Sequence, residues 1–270
     1  MRYLLIFLLV SLSACQPDVR NNKVPDKVEN NFPIYSSIVK DSFMINVYLP
    51  DTSLAGKPSR YPVIYILDAN LYFDIYATIV KKYSEVGLLP PAILVGIGYN
   101  TFQQMDSLRQ RDYTFPEGLP EYEMPVSGKA NLFLEFIQNE LIPIIDKKYP
   151  SDTARRMITG HSMGGYFTLY ALLEDLRNNR HLFTGYIAAS PSLHFNNNYL
   201  LKQFDIISDI STQDKKVFIA YGSLENPDMG SINFSKSKGT KLRKLNFSEL
   251  DHMDTQVPAF IKGLQWLVSE

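Results

Sequence analysis

Cys15 is the only cysteine in a chain of 270 residues, so no intramolecular disulfide and no cysteine-rich metal site can form. Metal-ligand spacings such as H-E-x-x-H are missing as well, and no metal is expected. Charge of one sign is also lacking. The 27 lysines and arginines are balanced by 28 acidic residues, which leaves no broad basic face for nucleic acid, and no nucleic-acid partner is expected. The local cluster Lys236, Lys238, Lys241, Arg243 and Lys244 reads as a solvated face. No segment repeats with a fixed period, which excludes a solenoid or propeller. The apolar run at residues 3–12 is too short to cross a bilayer as a mature helix.

That run has another reading. Arg2 gives a positive start, the apolar stretch follows, and Leu12-Ser13-Ala14-Cys15 resembles the bacterial lipobox, whose cysteine is lipidated and becomes the first mature residue. Residues 1–14 are expected to be a lipoprotein-type signal peptide, with Cys15 as the lipidation site. The polar residues 15–31, with two prolines, are expected to form a flexible tether. The protein would then sit in the bacterial cell envelope, lipid-anchored to a membrane. Ordinary signal cleavage without lipidation is the plainer alternative.

From residue 32 to residue 270 one domain is expected, since chains of this size with nearly half their residues apolar commonly form a single α/β unit. Phe43, Ile45, Val47 and Leu49 alternate with more polar neighbours, as in an antiparallel strand with one covered face. Continuous apolar runs follow at residues 62–67, 92–98, 156–160, 186–190 and 217–222, the pattern of strands buried on both faces. Between them lie helical patterns. One carries Leu132, Phe133, Phe136, Ile137, Leu141, Ile144 and Ile145 on a single stripe, with Pro143 expected to kink or end it. Others cover residues 163–177 and 255–268. Alternating strands and helices predict a mainly parallel central sheet with helices on both faces, a three-layer sandwich whose site lies at the carboxyl ends of strands.

Gly160-His161-Ser162-Met163-Gly164-Gly165 joins a buried strand directly to an apolar helix. A bare G-x-S-x-G would arise in about one chain in ten of this length, so its context decides. A serine on a sharp strand-to-helix turn stands clear of the sheet beside the positive end of a helix, and small residues on either side let strand and helix close up. Ser162 is therefore the candidate nucleophile.

A serine nucleophile needs a histidine base. Of four histidines, His161 should point away from Ser162, His181 lies in a polar loop, and His194 could line a pocket. His252, between the last strand and the final helix, falls where the base belongs in the order serine, acid, histidine. The acid should follow the strand at residues 217–222; Glu225 is the first choice and Asp228 the second. A serine–histidine pair without a dedicated acid also remains open. Oxyanion donors are expected from the backbone amides of Met163 and Asn70, with Ala69 as second choice for the latter.

These residues resemble an esterase family of α/β-hydrolases that includes esterase D, feruloyl and acetyl-xylan esterases, antigen 85-type mycolyltransferases and bacterial siderophore esterases. The enterobactin and bacillibactin esterase-like branch looks nearest. The resemblance spans residues 34–266 and rests on YPVIYILDANLYF, VGIGY with RQRDYTFP, FLEFIQNELIPIID, GHSMGG, ASPSLHF and YGSLEN. It implies the α/β-hydrolase fold, a serine carboxylic-ester hydrolase that needs no cofactor, and Ser162, His252 and the amide of Asn70 in the family's roles. Ala69 stands where the family often has glycine, which matters little because an amide is what the site needs, and His194-Phe195 stands where tryptophans are common, which alters the pocket wall. Arg111 and Asp112 match the family's R-D-Y segment as loop-organising or pocket residues, and Arg111 and His194 are the candidate substrate contacts. Acetyl or feruloyl polysaccharide esters, acyl transfer, and a non-catalytic envelope-binding lipoprotein remain alternatives.

Overall fold

The computed structural model describes residues 31–51, 59–206, 214–225 and 239–269. The signal segment, Cys15, nearly all of the expected tether, Asp228, Lys236 and Lys238 lie outside the described residues.

Eight strands form one sheet in the order β1-β2-β4-β3-β5-β6-β7-β8. Its members are β1 (Asn31–Ser36), β2 (Asp41–Tyr48), β3 (Tyr61–Ile66), β4 (Ile93–Gly98), β5 (Ser151–His161), β6 (Gly185–Ala189), β7 (Lys215–Gly222) and β8 (Thr240–Phe247). The β1–β2 and β2–β4 pairs are antiparallel, and every other pair is parallel. The apolar runs in the sequence form the central strands because both of their faces are covered; β3, β4 and β6 are buried along their whole length.

β1 was not legible in the sequence, and it begins at Asn31, inside the stretch expected to be tether. Pro33 argues against a strand, but β1 is the outermost strand of the sheet, where a missing backbone donor costs little.

Helices cover both faces, as the three-layer expectation requires. On one face, α1 (Ala69–Glu85) and α7 (Gln256–Val268) pack Phe73, Tyr76, Val80, Phe260 and Leu264 against Ile64, Ile66, Leu94, Ile187 and Phe218. On the other face lie α2 (Phe102–Tyr113), α3 (Ala130–Phe136), α4 (Ile142–Lys148), α5 (Met163–Arg177) and α6 (Phe195–Ile206). There Tyr113, Phe133, Phe136, Phe167 and Leu173 meet Val63, Tyr65, Val95, Ile158 and Tyr186.

The helix expected to kink or end at Pro143 does not end there. α3 runs through a π turn (Ile137–Leu141) into α4, with Pro143 in the first turn of α4. The wider turn makes room for the proline ring and its missing N–H. Its extra residue also rotates the turn that follows, so Ile144, placed by periodicity on the buried stripe, is exposed.

Candidate active site

β3 has β4 on one side and β5 on the other, so the chain order reverses at this point in the sheet. Such switch points open a crevice beyond the carboxyl ends of the strands. Ser162 stands there, one residue past the end of β5, with φ 58° and ψ −117°. That backbone is strained for a residue with a side chain. It is held by the Ser162 N–H donating to the Ala189 carbonyl at 3.0 Å, and by the Ser162 carbonyl accepting from Tyr166 N–H at 2.9 Å and Ser192 N–H at 3.1 Å. Gly160 permits the turn: a Cβ there would lie 2.3 Å from the Gly164 carbonyl oxygen. The Ser162 hydroxyl lies 3.3 Å from that of Ser192.

The loops after β7 and β8 meet at a second glycine. A Cβ on Gly222 would come within 2.1 Å of the Leu250 carbonyl oxygen, which in turn accepts from Leu224 N–H at 3.1 Å. This closeness brings Glu225 Oε2 within 2.8 Å of His252 Nδ1. A carboxylate only accepts, so Nδ1 carries the proton and Nε2 is left able to take another. The other oxygen, Glu225 Oε1, accepts from Ser190 Oγ at 2.6 Å and from Gly222 N–H at 2.7 Å. Thr255 Oγ1 lies 2.5 Å from Ser190 Oγ and donates to the His252 carbonyl at 3.1 Å. The carboxylate is thus nearly enclosed, while the imidazole remains accessible at 42% side-chain exposure.

His161 packs against this pair. Its ring centroid is 4.7 Å from that of His252, and its Nε2 lies 2.7 Å from the His252 carbonyl oxygen. A carbonyl accepts, so His161 Nε2 carries a hydrogen and donates. Burial, ahead of the neighbouring His252, pushes its pKa down to about 4 despite the opposing hydrogen bond. The imidazole is therefore neutral at ordinary pH.

Asn70 and Met163 both lie in first turns of helices, α1 and α5, where amides have no carbonyl four residues back to bond within the helix. The Asn70 side chain makes two 2.8 Å bonds to the backbone of Tyr99, pinning the start of α1 to the end of β4. Asp68, just before α1, is left-handed at φ 52°. Arg109 of α2 clasps its carboxylate through Nε at 3.0 Å and Nη2 at 2.8 Å, and also reaches the His161 carbonyl at 3.3 Å.

Arg111 is placed differently from a substrate contact. Its three nitrogens already donate to carboxylates, Nε and Nη2 to Asp112 and Nη1 to Asp41 at 2.7 Å. This braces α2 against β2, the loop-organising alternative of the two considered. His194 is exposed beside the segment that carries Ser192, and its carbonyl accepts from the Tyr122 hydroxyl at 3.5 Å. His181 is exposed. Among the described residues no cluster of His, Cys, Asp or Glu could hold a metal.

Sequence reasoning missed the supporting residues Ser190, Ser192, Thr255, Arg109 and Asp68. Ser190 and Ser192 could have been noticed, because they follow an apolar run and therefore sit at a strand's carboxyl end. Nothing in the spacing of Arg109 marks its partner.

Comparison with known proteins agrees with this architecture. The chain is 35% identical over 202 residues to the ferri-bacillibactin esterase of Bacillus subtilis strain 168, a match covering 70% of this chain and 68% of that protein. The BES protein from Bacillus cereus superposes with a TM-score of 0.75 at 25% identity, covering 94% of this chain and all of the other. An IroE-like serine hydrolase from Shewanella oneidensis superposes with a TM-score of 0.70 at 26% identity, covering 88% and 79% of the two chains. The family model described as "Putative esterase" matches residues 36–232. With a strained serine turn at the switch point of a mainly parallel sheet and that match over most of its length, the chain belongs to the esterase family and is a carboxylic-ester hydrolase of the α/β-hydrolase fold.

Proposed function

We propose that the chain cleaves siderophore esters through an acyl-enzyme on Ser162. Ser162 Oγ attacks the ester carbonyl while His252 Nε2 takes its proton, and Glu225 holds the imidazolium that forms. The amides of Asn70 and Met163 face the oxyanion of the tetrahedral intermediate. His252 then protonates the departing alcohol, and water resolves the acyl-enzyme by the same steps. No cofactor enters.

The observation that carries this reading is the 2.8 Å contact between Glu225 and His252 beside the strained turn of Ser162. The substrate class is supported by the Bacillus subtilis relative, which is named for ferri-bacillibactin. It also fits the exposed apolar side chains Leu71, Phe102, Leu224 and Met253, which stand on the segments following β3, β4, β7 and β8 and suit a substrate with flat apolar surfaces. In this reading Cys15 carries a lipid that holds the enzyme on the cell-envelope membrane.

The test is a panel of ferric and iron-free catecholate siderophores, feruloylated and acetylated sugars, and p-nitrophenyl acetate, run on the wild type and on Ser162→Ala. Siderophore esters should give the highest kcat/KM, with hydrolysis falling about 10⁴-fold or more in the variant. Turnover equal in the two proteins would end the serine mechanism, and a preference for feruloyl or acetyl esters would end the siderophore assignment.

A further inference from the structure

The last residue of β6 and the three that follow it, Ala189 to Ser192, touch two members of the expected triad. The Ala189 carbonyl accepts from Ser162 N–H at 3.0 Å, and Ser190 Oγ donates to Glu225 Oε1 at 2.6 Å. The chain turns at Ser190, whose φ is 40°, and Ser192 comes back onto the nucleophile. Its N–H donates to the Ser162 carbonyl at 3.1 Å, and its hydroxyl lies 3.3 Å from Ser162 Oγ. Packing fixes the segment from both sides. A Cβ on Gly165 would lie 2.9 Å from the Ala189 carbonyl oxygen and 3.0 Å from Pro191 Cα, so the first turn of α5 rests directly against it. The Tyr221 hydroxyl, from β7, donates to the Pro191 carbonyl at 2.8 Å.

We propose that Ser192 is a further catalytic residue, whose hydroxyl donates to Ser162 Oγ and stabilises the negative charge that gathers there during the reaction. The direction of the bond follows from the chemistry. A hydroxyl has one hydrogen to give and two lone pairs to offer. The Ser162 hydrogen must pass to His252 Nε2 as the bond from Oγ to the ester carbon forms, so in the reacting state Ser162 accepts and Ser192 donates. Ser192 keeps its own hydrogen throughout. Charge on Oγ is greatest while its proton is leaving and its bond to carbon is incomplete. It builds again when water has attacked the acyl-enzyme and that bond breaks. A hydrogen bond to a charged oxygen is shorter and roughly twice as strong as one between neutral groups. The donor therefore favours both transition states over the resting enzyme, which is what accelerates a reaction. Because the Ser192 N–H holds the Ser162 carbonyl, the donor stays in register with the nucleophile whatever the substrate.

This rests on the serine-esterase reading. A wild type without ester turnover would remove that reading itself, whereas an active wild type lets the variants judge Ser192 alone. The experiment compares wild type, Ser192→Ala and Ser192→Cys, whose thiol is a weak donor of nearly the same size. It measures burst and steady-state kinetics with p-nitrophenyl acetate, the rate of inactivation by diisopropyl fluorophosphate, and thermal melting to confirm the fold. In Ser192→Ala, acylation and deacylation should each slow about 10- to 100-fold, the range expected for losing a hydrogen bond to a charged oxygen. KM should stay within about threefold of wild type, and inactivation should slow by a similar factor to acylation. Ser192→Cys should lose about fivefold or more. The midpoint of the pH dependence of kcat/KM should not move, because His252 and Glu225 keep their contacts. Acylation in folded Ser192→Ala within about threefold of wild type, or faster than it, overturns the proposal. So does a loss confined to KM, which would make Ser192 a substrate contact. A shifted pH midpoint would assign the effect to the Glu225–His252 pair beside Ser190 and overturn it as well. If Ser192→Ala does not fold, Ser192→Cys decides by the same limits.

Discussion

A carboxylate can orient a histidine only if it is itself held, and Glu225 meets that condition through Ser190 and the Gly222 amide on one oxygen, with His252 on the other. Glu225→Gln would offer an amide that can present a donor to Nδ1 and favour the wrong tautomer. Its kcat should fall about 10²- to 10⁴-fold in steady-state assays, while Asp228→Asn should stay within about threefold of wild type. His161 gives a different signature. Its pKa is lowered from 6.5 to about 4 by burial first, so the unfolded chain binds this proton more readily than the folded one. Its contribution is complete above pH 6.5 and is lost as pH falls toward 4, on the order of 3 kcal/mol over that interval. In His161→Gln, whose amide can replace the Nε2 hydrogen bond, melting temperature should decline less steeply across that window. An equal slope in both proteins would count against a buried neutral imidazole. The sequence named Ser162, His252 and Glu225 through their places after apolar runs, but it assigned no task to His161. Its partner is a backbone carbonyl 91 residues away, and a carbonyl has no residue type to recognise.

At the scale of elements, two glycines let separate pieces of chain touch. Gly160→Ala would press a methyl group into the first turn of α5, and chemical denaturation should show a loss of at least about 2 kcal/mol. Gly222→Ala would push the loop carrying Glu225 off Leu250, so it should lower kcat more than it lowers stability. Wild-type activity in a folded Gly222→Ala would show that this approach does not set the Glu225–His252 contact. The central strands and α5 were legible because burial on both faces, or an apolar helix after a glycine turn, leaves a direct mark in sequence. β1 was obscured by Pro33. The π turn was hidden because a helical period cannot announce an added residue. The left-handed asparagines Asn196, Asn197 and Asn198 at the start of α6 were also unread. Asparagine tolerates that conformation better than most residues, but three in a row carry no periodic signal.

For the whole molecule, a mainly parallel sheet with its order reversed around β3 gathers residues from positions 70 to 252 at one end of the strands. The three-layer architecture followed from alternating patterns, whereas the mutual approach of the loops depends on long-range packing that no local pattern encodes. None of the helices among the described residues is long and apolar enough to cross a membrane, and in the proposed arrangement attachment comes from Cys15. Cys15→Ala should move the protein from the membrane fraction to the soluble fraction of the expressing bacterium and leave kcat unchanged; continued membrane association would exclude the lipid as anchor. The most direct measurement of the central claim is peptide mapping by mass spectrometry after inactivation with diisopropyl fluorophosphate. The serine mechanism predicts one phosphorylated site, at Ser162, formed in step with the loss of ester hydrolysis. An adduct elsewhere, or full hydrolysis by a protein modified at Ser162, would contradict it.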